Sequence, residues 1–411
     1  MERGLSCRHI GAMKKCFFGI LVLFMFTNSL GQQLTNHSKI SIITCGPDPD
    51  VVYLAFGHTA IRVLDLELGI DYVFNYGVFD FNQPDFYLNF ARGSNNYLLG
   101  AYDYQHFEQS YIDNNRFLHE QLLNLTLPQK QRLYDFLSWN ALPENRAYWY
   151  DPYYDNCATR VRDAFVKVFD DSVRFDGSYV KTHYTIRQLT DIYLINYPWG
   201  DLGIDIGQGM PIDIVPTPYQ HMFLPGYIES GFDHATIMND SATIPLVASK
   251  KIVYESQPER ASFVMHPMYV FGLLALVAII LCGRDFRKQD LSGWFDVLLF
   301  GLSGLLGIVL VLLWFFTDHK ASANNLNIIW ALPTHFIAVL AFIKNPPWLK
   351  GYFLLTALIQ LFLLGGWFFL PQQLNISLIP LVVALMMRAY MQYVLRKRGA
   401  FKRASIAKDL R

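Results

Sequence analysis

Apolar positions divide the chain into a mixed front and a greasy back. Between Gln32 and Arg260 hydrophobic residues are interleaved with charges and turn formers, whereas Met265 to Val394 is a succession of long apolar runs. In the front, Lys39–Thr44, Tyr53–Leu64, Asp71–Phe81 and Arg116–Leu125 read as strands, the first two separated by the turn Gly46-Pro47-Asp48-Pro49-Asp50. Helical spacing predicts a helix over Pro128–Asn140 through Leu133, Phe136 and Leu137. A second helix opens at Cys157, with Ala158, Val161, Phe165 and Val168 on one stripe and Asp155 and Asn156 as capping residues. Asp201–Gly207, with carboxylates at Asp201 and Asp205, reads as a turn-rich loop.

The back holds five apolar runs, Met265–Cys282, Trp294–Phe316, Leu326–Ile343, Tyr352–Phe369 and Ile376–Val394. Each is near the ~20 residues a bilayer core requires, which predicts an all-α five-helix transmembrane domain. Arg284, Arg287 and Lys288, then Lys344 and Lys350, then Arg396, Lys397 and Arg398 mark the cytoplasmic ends, so the front lies outside and the C-terminus inside. Lys14 and Lys15 ahead of the apolar run Phe17–Phe26, with small residues Ser29 and Gly31, read as a secretory signal. The expected organisation is a signal over 1–31, an exported domain over 32–260, the membrane domain over 261–395 and a basic tail over 396–411. His335 and Arg388 stand within or near apolar runs and need a partner or a route to the surface, inward snorkelling being the simple answer for Arg388.

Charge excludes one function class. The 34 basic and 34 acidic side chains cancel, leaving no electrostatic footprint for nucleic acid. Cys45 and Cys157 are the cysteines of the exported domain, and in an oxidising compartment an even pair reads first as a disulfide. The competing reading makes Cys157 a nucleophile, because unpaired N–H groups and the dipole at a helix start lower a thiol pKa. His58, behind Gly57 in a strand pattern, is the candidate base, although a single histidine is commonly a hydrogen-bonded structural residue. HExxH and CxxC patterns are absent, the other histidines are scattered, and neither a metal nor a cofactor is implied.

Seven short runs resemble one family in order: Thr44-Cys45-Gly46-Pro47, Phe56-Gly57-His58-Thr59-Ala60-Ile61-Arg62, Tyr76-Gly77-Val78-Phe79-Asp80-Phe81, Asp155-Asn156-Cys157-Ala158-Thr159-Arg160, Thr185-Ile186-Arg187-Gln188, Trp199-Gly200-Asp201-Leu202-Gly203 and Met222-Phe223-Leu224-Pro225. They look like those of bacterial Lnb-type lipoprotein N-acyltransferases, and the later segment with His319, Asn325, Asn327, Trp330 and Pro333 is similar to that family's membrane part. The resemblance implies an α+β, circularly permuted papain-like domain of the NlpC and lecithin:retinol acyltransferase type. It makes Cys157 the nucleophile and His58 the base, with Asp71 and Asn75, on one face of the next strand, as candidates for the orienting group. Asn156, Arg160, His319, Asn325, Asn327 and Trp330 are the expected substrate-binding positions.

The implied reaction takes an acyl chain from a phospholipid donor onto Cys157 and passes it to the α-amine of a diacylated lipoprotein, at the outer face of the inner membrane. Two alternatives stay open. The same dyad serves a membrane-anchored cysteine peptidase or amidase of the envelope, and a Cys45–Cys157 disulfide serves a non-enzymatic binding module.

Overall fold

The computed structural model describes residues 32–48, 51–79, 89, 92–94, 96–239, 242–257 and 265–399. The signal over 1–31, the junction at Pro258-Glu259-Arg260 and the tail beyond 399 lie outside the described residues. Strands in chain order are β1 (Lys39–Cys45), β2 (His58–Asp65), β3 (Ile70–Val78), β4 (Asn96–Asp103), β5 (Leu118–Leu123), β6 (Ala147–Trp149), β7 (Val173–Phe175), β8 (Ala235–Asn239), β9 (Ala242–Pro245) and β10 (Val247–Tyr254). Seven form an antiparallel sheet in the order β10-β5-β1-β2-β3-β4-β6, and β7-β8-β9 form a smaller one. The front helices of eight residues or more are α1 (Tyr104–Asp113), α2 (Leu127–Asn140), α3 (Cys157–Phe169), α4 (Ile186–Tyr193), α5 (Pro198–Gly207) and α6 (Pro225–Asp233).

β1 is buried from Ile40 to Cys45 because both faces of the large sheet are covered. Ile40 and Ile42, with Ile61, Val63 and Phe74, pack against Leu133 and Leu137 of α2 and Val161 and Phe165 of α3. On the other face Ile43, Cys45, Ala60 and Val73 meet Tyr104, Phe107 and Tyr111 of α1. β2 starts at His58, not at Tyr53, because Gly57 takes φ +73° and a Cβ there would lie 2.6 Å from the Cys45 carbonyl oxygen. Asp201–Gly207 is helical, contrary to the loop reading. Pro198 presets the first turn, Leu202 is buried, and Asp201 and Asp205, four apart, share one side of α5.

The back contains α7 (Pro267–Lys288), α8 (Gly293–Phe315), α9 (Thr334–Ala341), α10 (Trp348–Gly366) and α11 (Ile379–Lys397). Among the described residues four helices, α7, α8 and those built on α10 and α11, are long and apolar enough to cross a membrane. The expected third span, Leu326–Ile343, is broken into a 3-10 turn over Leu326–Ile329 and the eight-residue α9. Pro333 lacks the N–H that a continuous helix would need, and the Trp330 Nε1–H donates to Asn327 Oδ1 at 2.8 Å. Non-helical backbone among membrane helices must be covered by protein, and α8 provides the cover. A Cβ on Gly304 would lie 2.4 Å from Phe336 N, and one on Gly307 would lie 1.9 Å from Ala331 O, so the two backbones touch.

Arg388 does not snorkel. It is fully buried, donating from Nε to Asp296 Oδ1 at 2.6 Å and from Nη1 to Asp285 Oδ2 at 2.9 Å. The ion triad ties α7, α8 and α11 together. His335 is buried with Nδ1 2.6 Å from the Tyr352 hydroxyl.

The two halves meet through a buried polar joint. Arg187, 0% exposed, donates from Nη1 to Asp205 at 2.6 Å, from Nε to Asp213 at 2.8 Å and from Nη2 to the carbonyls of Gln208 and Gly209. Membrane-side amides finish the arrangement. Asn325 donates to Ile206 O at 2.8 Å, Asn327 to Asp205 O at 3.0 Å, Gln372 to Gln208 O at 2.9 Å and Asn375 to Asp201 Oδ2 at 2.9 Å.

Gly307→Ala is expected to lower thermal stability in detergent by about 2 kcal/mol or more, since backbone rather than a movable side chain opposes the new methyl. Gly301→Ala, with nothing within 4 Å of its Cβ, is expected to be neutral. Equal melting temperatures for the two variants would remove the close-contact account.

Candidate active site

The site begins with the cap of α3. Asn156 Oδ1 accepts from the N–H groups of Ala158 and Thr159, both at 2.9 Å, and the Asn156 N–H donates to Thr159 Oγ1 at 2.8 Å. Its Nδ2 donates to the carbonyls of Pro152 at 2.7 Å and Phe223 at 2.8 Å. Buried and with its side-chain amide engaged on both atoms, Asn156 fixes the helix start. Arg160 grips Asp155 through two nitrogens and lies over the Tyr148 ring at 4.2 Å from the centroid.

This cap presents Cys157, half-buried, at the end of the sheet where β2 begins. The N–H of Thr59, one residue after His58, faces the sulfur together with those of Ala158 and Cys157 itself. Folding thus brings the two motifs into one corner. Gly77 makes room there: its φ of +90° sits at a bulge in β3, and a Cβ would lie 3.2 Å from Cys157 Cβ and 3.9 Å from the Tyr148 hydroxyl.

His58 Nε2 is hydrogen-bonded to Asn75 Oδ1. A carbonyl oxygen can only accept, so Nε2 carries the proton and Nδ1 keeps its lone pair. Asp71 shares the strand face but not the bond. Its carboxylate accepts from Arg62 Nε at 2.8 Å and Nη2 at 2.9 Å, an ion pair on the sheet further along β2 and β3. Of the two candidates for the orienting group, the structure brings Asn75 to the histidine.

Electrostatics differ from the expectation for a helix-start thiol. Burial pushes the Cys157 thiol up to about 11, outweighing the three N–H groups that pull the other way. Burial also draws His58 down to about 4; the Asn75 bond opposes this and the nearby Arg116 guanidinium adds to it. At neutral pH Cys157 therefore rests as a thiol and His58 as a neutral imidazole. Cys45 pairs with His58 in the ladder, and Cys45 and Cys157 are both free thiols.

Tyr148 stands in the same corner, a position that periodicity did not reveal. Its buried hydroxyl has no hydrogen-bond partner and stands beside the Gly77 gap. Burial holds it well above the usual phenol range, so it remains a donor. A signal existed in the tyrosine-dense run Ala147-Tyr148-Trp149-Tyr150-Asp151-Pro152-Tyr153-Tyr154 immediately ahead of the cap.

The outer-loop residues lie elsewhere. Asn325, Asn327 and Trp330 are at most 1% exposed, the two asparagines in the joint between halves and Trp330 bonded to Asn327. His319 packs against the Gly93 turn, where Asp318 N–H donates to Arg92 O at 2.7 Å.

Among protein families, residues 36–191 match the Lnb N-terminal periplasmic domain and residues 258–399 match the Lnb transmembrane domain. No curated protein and no solved structure matches the chain. The first match spans His58, Asn75, Tyr148 and Cys157, and the second takes in α7 to α11. The chain therefore belongs to the Lnb family and is a membrane protein in which a periplasmic domain precedes a transmembrane domain.

Proposed function

We propose that the protein is a lipoprotein N-acyltransferase of the inner membrane, with its catalytic corner in the periplasm and its C-terminus in the cytoplasm. One observation carries this reading: the capped start of α3 presents a thiol to the strand whose first residue is an asparagine-oriented, neutral histidine. Family membership and the membrane domain support a reaction that draws on lipid substrates.

In the first half-reaction the Cys157 sulfur attacks the ester carbonyl of a phospholipid while His58 Nδ1 takes the thiol proton. The oxyanion takes the N–H of Cys157 at the helix start and the Tyr148 hydroxyl, a buried donor without a partner beside the same corner, as its two donors. Collapse breaks the ester C–O bond, the lysolipid oxygen leaves with the proton from His58, and a thioester remains. In the second half the α-amine of a diacylated lipoprotein attacks the thioester carbonyl and gives its proton to His58. The amide forms, and the sulfur departs and is reprotonated. A resting thiol suits this cycle because the base is free at neutral pH and the proton moves only during attack. Asn75 holds the ring in the required tautomer and steadies the transient imidazolium.

In cells lacking their own N-acyltransferase, the intact protein is expected to add a third acyl chain to the N-terminal peptide of a lipoprotein, and Cys157→Ala to leave it diacylated, as read by mass spectrometry. A third chain in both would refute the thioester route. Tyr148→Phe is expected to slow transfer by about 100-fold while Cys157 still alkylates, the usual scale for one oxyanion donor. Unchanged transfer would remove Tyr148 from the oxyanion site. The raised thiol sets the pH profile: the reactive thiolate fraction is small below the folded pKa and grows as pH rises toward it. Iodoacetamide labelling of Cys157 should therefore climb about tenfold per pH unit between about pH 7 and pH 9. A plateau by neutral pH would show a preformed ion pair instead.

A further inference from the structure

A cavity of about 660 Å³ opens where the periplasmic domain meets the ends of the membrane helices. α4 and α5 line one side with Asp191, Asp201 and Asp205, and the segment between α10 and α11 lines the other with Trp367, Phe368 and Asn375. Oxygens of the three aspartates lie within 4.8 Å of one another. Arg187 answers Asp205 and Asp213 through close ion pairs, but no lysine or arginine pair is made with Asp191 or Asp201 among the described residues. Burial and the neighbouring Asp205 carboxylate push Asp191 up to about 8 and Asp201 up to about 6, so the unliganded cluster retains a proton at neutral pH.

A second observation, independent of the carboxylates, also asks for a ligand. Trp367 is 3% exposed, lines the cavity, and its buried indole N–H has no acceptor. The Asp191 and Asp201 carboxyls hydrogen-bond to each other, Asn375 donates to Asp201 and Asp205, and Gln373 donates to Asp191 at 3.4 Å. The cavity thus offers acceptors for a cation and a donor for an oxygen. Its rim is apolar, with Ile195 79% exposed on the α4–α5 turn and Phe368 78% exposed beyond α10. A bare metal ion would use the carboxylates but neither the indole, the apolar rim nor most of the volume.

We propose that this cavity binds the primary ammonium of a membrane amphiphile, with the ammonium among Asp191, Asp201 and Asp205, an oxygen of the same molecule on the Trp367 indole, and hydrocarbon along Ile195 and Phe368. Assigning the amphiphile to the reaction rests on the acyl-transfer reading, which supplies two sources: an ethanolamine headgroup on the donor lipid, or the free α-amine of the acceptor. The site itself does not depend on that reading. α4 separates it from the dyad, since Tyr193 on the same helix packs on Phe56, two residues before His58.

The test is native mass spectrometry of full-length Cys157→Ala protein in detergent. Its probes are dioleoyl phosphatidylethanolamine against dioleoyl phosphatidylglycerol, a dipalmitoylated lipopeptide with a free against an acetylated α-amine, and calcium chloride. At least one amine probe should be retained about tenfold more tightly than its matched partner, the scale of one charge-assisted contact. Asp191→Asn and Asp201→Asn should each erase the preference, and Trp367→Phe should weaken retention of the preferred probe. Preference confined to the ethanolamine lipid assigns the headgroup, and preference confined to the free lipopeptide assigns the acceptor. Equal retention in both pairs overturns the proposal without any variant having to fold. Calcium retention that depends on the aspartates, with no amine preference, overturns it in favour of a metal. Thioester formation at Cys157, followed separately in the intact protein, could fail while the amine preference persists, so the two readings fall independently.

Discussion

The arrangement depends most on the burial of one guanidinium. Arg187 is wholly enclosed, and an enclosed charge costs several kcal/mol unless its donors are matched. Two carboxylates and two backbone carbonyls match them. Three of those groups are also held by the membrane domain, with Gln372 on the Gln208 carbonyl, Asn375 on the Asp205 carboxylate and the Gln373 N–H on the Asp213 carboxylate, while Asn327 takes the neighbouring backbone carbonyl of Asp205. The cation therefore organises a joint that neither half completes alone. Arg187 lies in the first turn of α4, the helix that also carries Tyr193 against Phe56, two residues before His58. A lysine could not substitute, because the planar fork is what spans these partners at once.

Much of this was legible from residue patterns, and the failures are physical. The stripe Ala158, Val161, Phe165 and Val168 and the cap Asn156 are local features, and the helix stands where they put it. Parity placed Asp71 and Asn75 on one face correctly, but parity repeats every two residues and says nothing about which is level with His58. That requires the register of β2 on β3. α5 was hidden because its glycines and aspartates are poor helix formers, rescued by Pro198 and by burial of Leu202 against the membrane core. The broken third segment has the composition of a span. Pro333 interrupts it, and the close backbone approach of Gly304 and Gly307 on α8 covers the interruption, a tertiary contact that hydropathy does not see.

The outer-loop asparagines show how resemblance and geometry divide the work. A motif reveals that Asn325, Asn327 and Trp330 matter but is silent on how. The structure finds them saturated with protein partners, joining domains. Buried polar atoms without a partner lie elsewhere, the Tyr148 hydroxyl and the Trp367 indole N–H among them. Chemistry is more readily sought where a buried polar atom lacks a partner than where a recognisable residue already has its full set.

The backbone contact between α8 and the broken segment bears on how the chain enters its membrane. Carbonyl and N–H groups around Trp330 to Pro333 would cost several kcal/mol each if released into lipid unpaired. This stretch cannot partition sideways as an independent unit. Gly304 and Gly307 open the groove on α8 that receives it, and Gln360 of α10 donates to the carbonyls of Ile329 and Trp330, so helices on both sides of the segment in the chain shield its backbone from lipid.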